Sequence, residues 1–230
     1  FDQILLPFLK KNPKFVKDEI HNIIARTIID KSCFFMKEFM KYPEIDINYQ
    51  IYDDNDEDKY DTFLSIAIKE KNTKAVEILL NDPNINLEET SSDDILPFCL
   101  AIIINSDMKI LDLFLNHPEF DICQLDDWFD DPFYAPIGLN FYAVDCLMKK
   151  FPDYFNPFVR QLIIACCERG ELMCTKILFK HLLINSKEKN GEKIIEELRR
   201  EYLLDDGIVD KLFNILHELS PTCHNMKKKK

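Results

Sequence analysis

The chain has 230 residues, with 41 acidic side chains against 29 basic ones and a formal net charge of −12. That field repels phosphate and argues against nucleic acid or an anionic membrane as the main partner. With 47% hydrophobic and 30% charged residues the chain is expected to fold in water, while 4 glycines leave no phosphate-cradling loop of the P-loop or dinucleotide-binding kind.

Read in chain order, residues 4–15, ILLPFLKKNPKF, have the pattern of one short helix. Phe1 is not followed by a charged segment, an apolar stretch and a small-residue cleavage site, so the expectation is a fragment without a signal peptide. Residues 20–48, ending FMKYPEIDIN, form a first copy of a helical unit that 62–86, TFLSIAIKEKNTKAVEILLNDPNIN, shows most clearly. There a short helix is expected to bury Leu64, Ile66, Ala67 and Ile68, and a turn at Lys71 and Asn72 reverses the chain. A second helix then buries Val76, Leu79 and Leu80, and Pro83 stops it, because proline lacks the amide donor and clashes with the preceding turn.

Residues 96–122 repeat this pattern, and 133–156 repeat it around Ala143, Val144, Leu147 and Met148. Residues 161–185 fall on the clearest copy at an offset of 99, with Leu182 in place of the proline. Ile194–Leu204 and Ile208–Leu219, ended by Pro221, read as a last helix pair. Its charged run, Glu196, Glu197, Arg199, Arg200 and Glu201, suits a terminal unit facing water.

The copies share a period. Ala67, Ala101 and Ala135 are 34 residues apart, and Pro43, Pro83, Pro118 and Pro152 are separated by 40, 35 and 34. Two residues after each of these prolines comes an apolar side chain, followed in the first three copies by Asp46, Asn86 or Asp121. Helix, turn, helix and loop at this period resemble the ankyrin repeat. TFLSIA at 62–67 stands for the family's T-P-L-H-x-A, AVEILL at 75–80 for its second-helix core, and LPFCLA at 96–101 keeps the proline but loses the threonine and histidine. Glycine is the main departure. Only Gly170 stands at an inter-helix turn, D-P-N-I-N replaces the usual G-A-D-V-N, and a proline stop is read as doing the work of the glycine cap.

The resemblance implies an all-α, ankyrin-like helical solenoid of stacked helix-turn-helix repeats across 1–230. The expected boundaries are a partial repeat at 1–17, repeats at 18–59, 60–93, 94–130, 131–158 and 159–186, a capping helix pair at 187–222 and a basic tail at 223–230. It further implies a protein-binding scaffold, with loops as fingers and first helices lining a concave face, and it brings no catalytic residue. Fold alone does not set function. The alternative is a targeting or regulatory arm of a larger enzyme or membrane protein whose active part lies outside these residues.

Three finger loops are acidic. The first carries Asp53, Asp54, Asp56, Glu57, Asp58 and Asp61, the second Glu88, Glu89, Asp93 and Asp94, and the third Asp126, Asp127, Asp130 and Asp131 around Trp128 and Phe129. If the fingers stack, these charges form a stripe that attracts a protein or peptide, a basic one fitting the charge; the competing account is plain solvation. Trp128 is read either as an interface anchor or as a ring folded back onto its neighbours. Asp54, Asp56 and Asp58 imitate the start of a calcium loop, but Lys59 stands at the glycine position and Ser65 at the twelfth, so a solvated loop is the better reading.

The eight cysteines include no C-x-x-C pair. Cys166, Cys174 and Cys146, on the positions of Ala67, Ala75 and Ile78, are expected to pack the core, and the five histidines, without metal-site spacing, to lie at the surface or at helix ends. The combined expectation is a cytoplasmic chain, with the nucleus as the alternative. It is a monomer without cofactor, metal or membrane span, has no enzymatic activity, and ends in a solubilising lysine tail, Lys227–Lys230.

Overall fold

The structure, a computed structural model, describes residues 11, 13–42, 45–53, 56–91, 93–104, 108–125 and 141–226. Among these it has twelve α-helices, one 3-10 turn and one two-stranded hairpin. The chain is therefore mostly helical rather than all-α, because the first acidic finger pairs its two sides as strands. It divides into two compact units, Phe1–Asp121 and Ile122–Lys230.

In the first unit, α1 (Pro13–Ile29) and α2 (Cys33–Phe39) precede β1 (Gln50–Asp53) and β2 (Asp56–Thr62), followed by α3 (Phe63–Lys69), α4 (Thr73–Leu80), α5 (Pro97–Ile103) and α6 (Met108–Leu115). The helices alternate in how they pack. α3 lies against α1 on one side and α5 on the other, while α4 lies against α2 and α6. First helices thus pack mainly on first helices and second helices on second within this unit.

Local chemistry sets the boundaries of each pair. The Thr62 hydroxyl accepts the Ser65 amide at 3.1 Å and caps α3, and the two side-chain oxygens lie 2.9 Å apart. Ser65 stands at the position where the T-P-L-H-x-A motif has histidine, and its bonds to Thr62 are local to the start of α3. At the other end of α3 the Lys71 amide donates to Ile68 O and the Asn72 amide to Ala67 O, each at 2.9 Å. This is a Schellman closure, with Lys71 in the left-handed region at φ 51°. The same pair of bonds closes α1 around Lys31, at φ 56°.

The inter-helix turn therefore still demands the left-handed residue that glycine supplies most cheaply, and lysine occupies it. The proline stop acts after the second helix, where D-P-N-I-N stands for G-A-D-V-N. Pro83 and Pro118 each sit second in a four-residue turn after α4 and α6, closed by Ile85 N–H to Asp82 O and Phe120 N–H to His117 O, both at 3.2 Å. A residue with a Cβ in the left-handed region costs about 1–2 kcal/mol, and glycine returns part of that as unfolded-state entropy. Lys71→Gly is accordingly expected to stabilise the unit by about 0.5–1 kcal/mol, read as a raised midpoint in urea unfolding.

The core is apolar and periodic. Phe63, Leu64, Ala67 and Ile68 of α3 and Ala75, Val76, Leu79 and Leu80 of α4 are buried, as are Phe98, Ala101 and Ile102 of α5 and Ile110, Leu111, Phe114 and Leu115 of α6. Ile66, expected in the core, is only half-buried, and Phe63 takes its place. Each fully buried side chain of this size contributes about 1.5–3 kcal/mol, which makes these faces the main source of stability.

The second unit contains the 3-10 turn Ile122–Leu125, α7 (Phe141–Lys150), α8 (Pro152–Phe155), α9 (Val159–Glu168), α10 (Leu172–Asn185), α11 (Gly191–Tyr202) and α12 (Asp206–Met226). Ala143, Val144, Leu147 and Met148 are buried on α7, as their spacing requires, and α7 packs on α10. α9 and α10 form a pair closed by Gly170 at φ 78°, the position that Lys71 fills 99 residues earlier. With Leu182 in place of proline, α10 does not stop after eight residues as α4 does but runs for 14.

α12 packs on α9, α10 and α11, and it continues through Pro221, where the sequence reading ended it. Proline's fixed φ is compatible with a helix; it removes one hydrogen bond without forcing a stop. α11 approaches α12 closely at Gly191, where a Cβ would lie 2.4 Å from Leu216 Cδ1. Arg160 of α9 donates to Glu197 at 3.0 Å and Glu201 at 3.1 Å on α11, tying the last pair to the one before it.

Candidate partner-binding surface

The surface begins with the residues that hold consecutive fingers together in the first unit. Asn48, after α2, donates from Nδ2 to Asn84 O and accepts the Asn86 amide at Oδ1, both at 2.8 Å, so one side chain imitates a strand pairing between two loops. Gln50, at the start of β1, donates to Glu89 Oε1 at 2.8 Å, and the other Glu89 oxygen accepts from Asn86 Nδ2 at 3.2 Å. One repeat further on, His117 Nε2 meets Leu80 O at 3.0 Å. These links span 36 to 39 residues, about one period.

The hairpin pairs Gln50 with Thr62, Ile51 with Asp61, Tyr52 with Tyr60 and Asp53 with Asp56, with an irregularity between Tyr52 and Asp53. Asp53, Asp56 and Asp58 thus lie on its strands, and Asp54 lies outside the described residues. Asp61 is engaged by Lys69 Nζ at 2.6 Å. In the next finger Asp93 and Asp94 are exposed, and Asp94 adopts φ 54° as its amide donates to Ser91 O at 2.9 Å. The structure brings the first two fingers together through Gln50 and Glu89. Trp128, Phe129, Asp126, Asp127, Asp130 and Asp131 lie outside the described residues.

Sequence reasoning did not single out Asn48 or Gln50, and it placed Asn72 only in a turn. The polar Asn48 and Asn86 that follow each helix pair were the available signal, since loop asparagines readily bond neighbouring backbone. The first-helix face adds a row at one register position: Ile29 on α1, Lys69 on α3 and Ile103 on α5, of which Ile29 and Ile103 remain 41% and 37% exposed.

Three of the histidines take part in local packing or hydrogen bonds and four of the cysteines are buried, whereas Cys33 and Cys146 are half-buried and Cys123 is exposed. His117 Nδ1 accepts the Glu119 amide at 3.2 Å while Nε2 lies 3.0 Å from Leu80 O. His21 is buried, accepts the Asp46 amide at 3.3 Å, and stacks on Tyr49 with ring centroids 3.9 Å apart. His181 lies 3.1 Å from Asn156 Oδ1, and partial burial lowers its pKa.

Cys99, Cys166, Cys167 and Cys174 are buried. Burial pushes the Cys99 thiol up to about 12, and a hydrogen bond with Cys174 together with burial raises Cys166. A thiol that stays protonated is a poor nucleophile. Cys99 is stabilised in its neutral form by the fold, so its contribution is complete below its ordinary value of 9.0 and is lost as pH rises from there through about 12. Urea unfolding at rising pH is expected to show this alkaline loss reduced in Cys99→Ala.

Among the described residues no group of three or more His, Cys, Asp or Glu side chains is placed to hold a metal ion, and no helix is long and apolar enough to cross a membrane. Comparison with known proteins finds no matching family model, no matching curated protein and no matching solved structure.

Proposed function

We propose that the chain is a non-enzymatic scaffold, built as a divergent ankyrin-like solenoid, that binds a protein or peptide through its acidic fingers and first-helix face. The observation that carries this reading is the side-by-side tie of the first two fingers by Gln50 to Glu89 and by Asn48 to Asn84 and Asn86. Fingers held together present their carboxylates as one surface, which raises the association rate of a cationic partner. The packing of α3 on α1 and α5, and of α4 on α2 and α6, supports the repeat reading, because stacked repeats bury their faces against adjacent copies. The recurrent turn closures at Lys31, Lys71 and Gly170 support it too.

The reading is tested by charge neutralisation without loss of volume. Full-length chain with Asp53, Asp56, Asp58, Asp93 and Asp94 replaced by asparagine is used to capture interactors at two salt concentrations, beside a second variant with Asp126, Asp127, Asp130 and Asp131 so replaced. Expected is capture that weakens with salt in the unsubstituted chain and is lost in at least one variant. Unchanged, salt-insensitive capture in both variants contradicts the reading.

A further inference from the structure

The hairpin carries an aromatic pair that the core does not use. Tyr52 and Tyr60 face each other across the strands, so both rings stand on the same side of the sheet, with centroids 5.7 Å apart and planes tilted by 49°. Tyr52 remains 55% exposed and Tyr60 is half-buried. Alternation along a strand places Gln50 and Thr62 on that side as well. The Tyr52 hydroxyl is bonded to Gln50 Oε1 at 3.1 Å, and Gln50 in turn donates to Glu89 of the next finger. The tyrosine side of the hairpin is therefore the side turned toward the second finger, which bears Asp93 and Asp94.

A tilted ring pair with an exposed member, on the side of an acidic finger, forms a recognisable chemical environment. The negative face of an aromatic ring attracts a cation, and a planar guanidinium stacks on it with less loss of hydration than an ammonium. Between the two tyrosines the chain has five acidic residues and a single lysine. From the ring pair, its placement toward the second finger and this charge, we propose that the tyrosine face of the hairpin is a docking site for an arginine side chain of a basic peptide segment. One guanidinium stacks on Tyr52 and Tyr60 while Glu89, held by Gln50 on that side, supplies an opposite charge. The site rests on the partner-binding reading of the fingers and deepens it by naming the residue type recognised.

The test uses the full chain and two labelled, end-blocked probes, hexa-arginine and hexalysine, titrated by fluorescence anisotropy at low and physiological salt. Tyr52→Leu/Tyr60→Leu keeps every charge, Tyr52→Phe/Tyr60→Phe keeps both rings, and circular dichroism checks that each variant is folded. Expected is tighter binding of hexa-arginine than hexalysine by the unsubstituted chain. The leucine variant should lose about ten-fold toward hexa-arginine and little toward hexalysine, with recovery in the phenylalanine variant. Equal binding of the two probes, no binding of either, or undiminished hexa-arginine affinity in the leucine variant overturns the proposal. If charge neutralisation releases captured partners while the leucine variant binds hexa-arginine normally, the arginine site fails and the scaffold reading stands. If the leucine variant behaves as expected while charge neutralisation leaves capture unchanged, the arginine site stands and the scaffold reading fails.

Discussion

Replacing Asn72 by alanine is expected to destabilise the first unit by about 2 kcal/mol. Asn72 is 4% exposed, and its side chain serves two helix pairs at once. Oδ1 accepts the Ala75 amide at 3.1 Å and caps α4, while Nδ2 donates to Ile28 O at 2.8 Å across to the preceding pair. The Cys33 thiol also donates to Oδ1, at 3.6 Å. Losing a cap costs about 1 kcal/mol, and losing the Nδ2 bond to Ile28 O, which still accepts the Lys31 amide at 3.1 Å, costs about 0.5–1.5 kcal/mol more. Ser32, which precedes α2 as Asn72 precedes α4, makes no capping bond, so Ser32→Ala is the matched control and should change stability by under about 0.5 kcal/mol. Urea unfolding followed by circular dichroism distinguishes the two. A small effect of Asn72→Ala would contradict the inter-pair role.

Ala67→Leu is expected to cost about 3 kcal/mol, for the opposite reason. Ala67 is fully buried on α3, which packs against both α1 and α5, so the site is closed on two sides. A longer side chain there must push apart helices that approach each other through alanine, and protein interiors have little free volume to take it up. Ala101, 34 residues later on α5, is equally buried and should respond alike. Ile66→Leu, on the same helix but half-buried, should be nearly neutral and provides the control. Thermal melts of the three variants read the difference directly.

The pair around Lys71 was legible in sequence because its signals agree. Leu64, Ala67 and Ile68 repeat at helical spacing, Asn72 is a good capping residue, and Pro83 follows the last apolar position. The structure places α3 and α4 at Phe63–Lys69 and Thr73–Leu80, close to that reading. The hairpin was not legible. IYDDNDEDKYDT is dominated by aspartate, which disfavours strands, and only the symmetric Tyr52 and Tyr60 mark the pairing. The strands form because Tyr52 meets Tyr60 across the pair while Thr62 continues directly into the cap of α3, and neither contact has a periodic signature.

Pro221 misled because its local preference was weighed without its context: α12 already packs on three helices, which outweighs one missing hydrogen bond. The finger-to-finger ties were hidden for another reason. Asn48, Gln50 and Glu89 read as ordinary loop polarity, and their partners are 36 to 39 residues away. The acidic character of the fingers was visible from composition, whereas their adjacency required the stacking of whole repeats.

Zero-length cross-linking of the chain's carboxylates to the amines of a captured partner tests the central claim most directly, because it maps the contact onto numbered residues. The expected result is cross-links concentrated in residues 53–61 and 88–94, with those in 53–61 falling when Asp53, Asp56 and Asp58 are replaced by asparagine. Cross-links confined to Glu192, Glu196 and Glu218 of α11 and α12, with the fingers unmarked, would contradict it.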